Sequence, residues 1–138
     1  MPTIPAGLRL YNALINSGNI RYGTLPDGAA AVKLTAKAVA WTYDAWTQIV
    51  ASVGAGDVLL AAIYTENPSA ATDYDVNIGS GAGAAEVPLA TVPIFLGVAG
   101  VLPFPILIAA TTRLAGRTRS ASGAANTIDV KVGVITGF

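Results

Sequence analysis

Between residues 127 and 134 the chain alternates without a break. Ile128, Val130, Val132 and Val134 fall on one side, and Thr127, Asp129 and Lys131 on the other. An extended strand separates the two sets because its side chains point to opposite faces with a period of two, whereas a helix would scatter them. Residues 73–78 repeat the pattern, setting Tyr74, Val76 and Ile78 against Asp73, Asp75 and Asn77. Residues 58–65 are apolar on both faces, which fits a central strand or one covered by a partner. Further strands are expected at 32–38, 46–53, 86–94, 104–109 and 112–120, although the alanines of 32–38 also suit a helix. Ala55-Gly56-Asp57 and Asn67-Pro68-Ser69 supply turns between them. About eight short strands with a turn every ten or so residues predict an all-β protein, a single eight-stranded jelly-roll-like β-sandwich over residues 29–138. Residues 1–28 differ: Pro2, Pro5, Gly7, Gly18, Gly23, Pro26 and Gly28 cut them into short pieces. They read equally as an N-terminal arm packing on a neighbouring subunit or as an extra edge strand.

A chain of 138 residues has the length of one domain. It contains neither cysteine nor histidine. Disulfides, thiolate metal sites and every Ser-His or Cys-His nucleophile are therefore excluded, and no enzyme activity and no cofactor are expected. Eight basic and eight acidic residues cancel, so no extended phosphate-binding surface and no nucleic-acid partner are expected. Charged residues are only 12% of the chain and hydrophobic ones 53%. That imbalance predicts an exterior partly covered by other subunits, in a homo-oligomer or a larger assembly. Residues 87–112 carry no charge and are long enough to cross a bilayer as a helix. Pro88, Pro93, Pro103 and Pro105 interrupt them, so two buried strands joined by a turn are expected and no membrane contact. The opening MPTIPAGLRL lacks the pattern of a secretory leader.

Four groups of residues invite a chemical reading. The glycine-rich run from Gly79 to Glu86 satisfies the G-x-G-x-x-A form of a dinucleotide loop. Pro88 leaves no room for the helix such a site needs, and no acid occurs between Glu86 and Asp129, so a tight turn with positive backbone angles is expected. Asp73, Asp75 and Asn77 resemble the start of a calcium loop, but Ile78 and Ala84 stand where Gly and Glu are required. A solvated strand face is expected there, with a weak ion site at Asp73/Asp75 as the alternative. Arg113, Arg117 and Arg119 share one face of a strand, opposite Leu114 and Thr118. With no aromatic close by in sequence they make a poor nucleic-acid footprint, and ion pairs with acids of the next sheet or the next subunit are expected, making them possible subunit contacts. Trp41, Tyr43 and Trp46 form the aromatic cluster. They would either pack in the core or an interface, with Trp46 plugging a core end, or stand exposed as a platform for sugar rings.

Two stretches carry a resemblance to small bacteriophage virion structural proteins of jelly-roll type. The turn containing Asp75, Ile78, Gly79, Gly81, Ala82 and Glu86 is similar to a "D-x-x-I-G-x-G-A-x-G-x-E" turn of phage head and tail modules, with alanine before Glu86 where glycine is usual. Pro103, Pro105, Thr112, Arg113, Leu114, Ala115 and Arg117 resemble a "P-x-P-I-P-A-G-T-R-I-A-A-R" hairpin of the same proteins, departing at residues 108–111. The resemblance spans residues 46–134 and leaves 1–28 unexplained. It implies a virion component, often trimeric, with no catalytic residues. The resulting expectation is a capsid decoration, or cement, protein on the outer surface of a phage head, with itself and the major capsid protein as partners. The alternative is a tail or fibre receptor/glycan-binding module that uses Trp41, Tyr43 and Trp46.

Overall fold

The computed structural model describes residues 20–97 and 101–138. Of the first 28 residues, 1–19 lie outside this range, and with them most of the expected arm. Nine strands follow in order: β1 (Arg21–Leu25), β2 (Val32–Thr35), β3 (Thr47–Val50), β4 (Val58–Glu66), β5 (Tyr74–Ser80), β6 (Val87–Ile94), β7 (Val101–Ile108), β8 (Leu114–Ser120) and β9 (Thr127–Thr136). A single 3-10 turn at Phe95–Gly97 follows β6, and no α-helix occurs among the described residues.

The strands form two antiparallel sheets. In the first, β9 lies between β4 and the pair β1 and β2, and β7 flanks β4 on the far side. In the second the order is β3-β8-β5-β6. From β2 onward the eight strands make two four-stranded sheets, β2-β9-β4-β7 and β3-β8-β5-β6, the connectivity of a jelly roll. β1 is a ninth strand, pairing with β9 from Arg21↔Thr136 to Leu25↔Val132.

Alternation decides which side chains meet between the sheets. Leu34, Leu60, Ile63, Ile128, Val130 and Val132 of the first sheet pack with Tyr74, Val76, Ile78, Val92 and Leu114 of the second. A register shift between Leu60 and Ala62 lets Val58 and Leu60, and then Ile63, all point inward. The expected membrane-length run 87–112 supplies β6 and β7, both at sheet edges on the same side of the sandwich. Its four prolines fall on these edge strands, where a missing N–H costs least and discourages pairing with another chain.

Two boundaries depart from expectation. β2 ends at Thr35 rather than continuing to residue 38. Ala36 still points inward and donates its N–H to the Asn126 carbonyl, but Lys37, Ala38 and Val39 are exposed as the chain leaves one sheet for the other. β3 is only Thr47–Val50, because the residues before it fold across the second sheet instead of pairing regularly.

Candidate functional site

The polar side chains singled out from the sequence converge on the outer face of the second sheet. Leu114, Thr118 and Ser120 of β8 are buried, so Arg117 and Arg119 must point outward with Ala115. On the neighbouring β5 the outward set is Asp75, Asn77 and Gly79, in register Asp75↔Arg119, Asn77↔Arg117 and Gly79↔Ala115. Directly opposed residues on one face lie within side-chain reach, and each arginine finds its partner across the ladder. Arg119 donates Nε to Asp75 Oδ2 at 2.8 Å and closes an ion pair through Nη2 at 2.7 Å. Arg117 donates Nε to Asn77 Oδ1 at 3.0 Å, and Asn77 donates onward to the Ala90 carbonyl and Thr91 Oγ1 of β6. Arg113, just before β8, reaches Glu86 Oε1 at 2.7 Å, the Gly81 carbonyl at 3.0 Å and Gln48 Oε1 at 3.0 Å. These ion pairs lie within one sheet and its turn, whereas acids of the next sheet or the next subunit were expected as partners.

The aromatic residues reach the same place from the other side. Residues 36–46 run along the free edge of β8, tied by the Trp41 N–H to the Ser120 carbonyl at 2.7 Å and continuing into β3, where Thr47 opposes Gly116. Their rings fold over the arginines. The Arg117 guanidinium lies 4.3 Å from the Trp46 ring centre and 4.4 Å from that of Tyr43, and the Arg119 guanidinium lies 4.7 Å from Tyr43 and 5.5 Å from Trp41. The sequence Trp46, Arg117, Tyr43, Arg119, Trp41 is a cation–π ladder in which ring and guanidinium alternate. The arginines thus have aromatic neighbours after all, which sequence distance concealed. Trp46 does not plug a core end: it lies over Gly79, where a Cβ would stand 2.6 Å from its ring.

This cover changes the expected solvated face of β5. Asn77 is only 3% exposed. Asp73 and Asp75 also point to protein partners, since Asp73 Oδ1 accepts the Leu96 N–H at 2.7 Å while Asp75 holds Arg119. No group of three His, Cys, Asp or Glu residues able to hold a metal occurs among the described residues. The glycine-rich turn is as tight as expected, with Gly81 at φ 123° and Ala84 at φ 64°. Ala84 occupies a left-handed backbone position, which glycine would adopt at less steric cost. The Arg113 hydrogen bond holds the Glu86 carboxyl below the ordinary carboxylate range.

A second feature escaped the sequence reading. The connections 36–46, 67–73, 95–97 and 121–126 gather at one end of the sandwich, joined by hydrogen bonds from Ser69 to Thr127, Ala121 to Asp73 and Leu96 to Asp73. Val39, Trp41, Phe95 and Leu96 are all exposed there. The only sequence signal for Phe95 and Leu96 was a large apolar pair just before Gly97, which also suits a buried strand end.

Fold and surface together define an all-β jelly-roll protein whose second sheet is sheathed by an arginine–aromatic ladder. No protein-family model matches the chain, and no curated protein sequence matches it. Among solved structures, the chain is similar to a chain of the infectious bursal disease virus Gx strain structure, with 12% identity, a TM-score of 0.43, and coverage of 84% of this chain and 32% of that one. A chain from the crystal structure of the T13 particle of the same virus gives 11% identity, a TM-score of 0.43, and coverage of 85% and 31%. The chain spans about a third of the length of these solved chains.

Proposed function

We propose that this protein is a non-catalytic structural component of a virus particle, and specifically a bacteriophage decoration protein. It seats on the outer surface of the head, associates with itself, with a trimer favoured, and ties neighbouring capsid subunits together. The observation that carries this reading is the strand order β2-β9-β4-β7 over β3-β8-β5-β6, an architecture shared by capsid and lectin domains. Fold alone does not choose between those two uses, so the surface must. A sugar platform needs free aromatic faces, yet the rings of Tyr43 and Trp46 are engaged by Arg117 and Arg119. A scaffold that works by contact has few charges and apolar residues on its exterior, and this chain has both.

Cementing buries apolar area across subunit junctions at about 25 cal/mol per Å², less the cost of association. The test is to compare heads assembled with and without the protein. Heads carrying it should keep their genome at higher temperature and pressure than heads without it. Equal resistance would remove the cementing role.

A further inference from the structure

The outer face of the first sheet is built differently from that of the second. Leu25 of β1, Ile63 and Thr65 of β4, and Val130 and Val132 of β9 are buried, so Thr24, Tyr64, Glu66, Asp129, Lys131 and Gly133 point outward. The registers Thr24↔Gly133, Tyr64↔Lys131 and Glu66↔Asp129 set them side by side across three strands. Gly133 has no side chain, and the Tyr64 ring leans into that space: a Cβ there would stand 2.9 Å from the ring Cε2 and 3.5 Å from the hydroxyl oxygen. At 39% exposure, the ring keeps one side against β9 and offers the other to solvent. It forms one wall of a hollow of about 270 Å³ that, among the described residues, is lined by Thr24, Tyr64, Glu66 and Lys131. Covering Gly133 accounts for the ring but not for the polar groups around it. On the second sheet, Arg117 and Arg119 each meet an acceptor across the ladder. Here the Tyr64 hydroxyl, the Glu66 carboxylate and the Lys131 ammonium make no hydrogen bond or ion pair with a described residue. Glu66 also faces Asp129 directly, a like-charge opposition that costs stability. Asp129 Oδ2 accepts from Asn67 at 3.1 Å, but its Oδ1 is buried with no partner among the described residues. Acceptors held this close favour a ligand that brings donors, and Lys131 beside them repels a bare cation.

We infer that this hollow is a saccharide-binding site that takes one hexopyranose ring of a glycan. A pyranose has an apolar C–H face to lay on the electron-rich face of the Tyr64 ring, and a rim of hydroxyls that both donate and accept. Glu66 and Asp129 accept from those hydroxyls, while Lys131 and the Thr24 hydroxyl donate to the sugar oxygens. An apolar wall with a few placed polar groups is the usual make-up of a ligand site, and the volume, just under the roughly 300 Å³ at which such sites begin, admits one ring. Tyr64 thus offers the open aromatic face that Tyr43 and Trp46 have turned to arginines, and it does so on the opposite side of the sandwich. The site is independent of the decoration reading.

The test is an array of immobilised glycans ending in glucose, galactose, mannose or N-acetylglucosamine, probed with the full chain. Wild type should be retained on at least one of the four series. Tyr64→Ala should lower that retention about tenfold or more, whereas Tyr64→Phe keeps the stacking ring and should stay within about threefold of wild type. Glu66→Gln and Lys131→Met should each weaken retention, and they read the site on their own if thermal melting shows that Tyr64→Ala does not fold. Trp41→Ala should be retained as wild type is. No retention on any series, undiminished retention by folded Tyr64→Ala, or undiminished retention by both Glu66→Gln and Lys131→Met would overturn the inference. An equal loss in Trp41→Ala would move binding to the aromatic residues of the other sheet and overturn it as well. None of these outcomes bears on head stabilisation, which is measured separately.

Discussion

Glu86 shows how much a single side chain can carry at a turn. Its carboxylate accepts from Arg113 at 2.7 Å with only 2% of its side chain exposed, and Arg113 also grips the Gly81 carbonyl, so the pair braces both sides of the glycine-rich turn. The bond lowers the folded-state value below the ordinary 4.5. A lowered carboxylate value stabilises the fold fully above the unfolded value and loses that contribution as pH falls through the folded one. Thermal unfolding of wild type and Glu86→Gln should therefore differ most near neutral pH and converge on acidification below about pH 4.5. A gap that stayed constant with pH would mean the ion pair contributes nothing. Neither partner was visible as a pair in the sequence, since 27 positions separate them. Gly79 was visible only as a turn residue, yet its lack of a side chain serves a second purpose in making room for Trp46.

At the scale of elements, strand identity was readable and strand cover was not. Alternation placed β5 and β9 directly, since only one face of each is apolar. It overran at residues 36–38, where the chain has already left β2 and begins to cross from one sheet to the other. The aromatic residues of 36–46 were recognised, and so were the arginines of β8, but the ladder joins residues more than 70 positions apart, and no local pattern encodes that. Tyr43 is its centre, touching both guanidiniums. Tyr43→Ala should cost about 1–2 kcal/mol from two cation–π contacts, measured by denaturant unfolding. It should leave the core strands as protected from hydrogen exchange as before, because the loss is confined to the 36–46 connection and the outer face of β8. A variant as stable as wild type would reduce the ladder to surface decoration.

For the whole molecule, the two-sheet architecture was legible because strand count, turn spacing and the absence of long helical stretches all agreed. The apolar excess that predicted association is only partly accounted for by the core. Tyr22, Val39, Trp41, Tyr64, Val87, Phe95, Leu96 and Leu107 remain exposed. Sedimentation should find the full chain as an oligomer at micromolar concentration, and a stable monomer at high concentration would contradict the reading. The exposed end that displays Leu96 was illegible because separate connections build it together through hydrogen bonds.

The position of β9 has a kinetic consequence. It follows every other described strand in sequence, yet it fills the middle of its sheet, touching β1, β2 and β4 at once. Those three can find their final neighbours only after every other strand has been made, so the sheet cannot close step by step behind the ribosome. Folding is then a late event dominated by distant pairings, at the milliseconds-to-seconds end of the range for small domains. Until the ten residues of β9 emerge, the inner faces of β2 and β4 stay open to water and to other nascent chains.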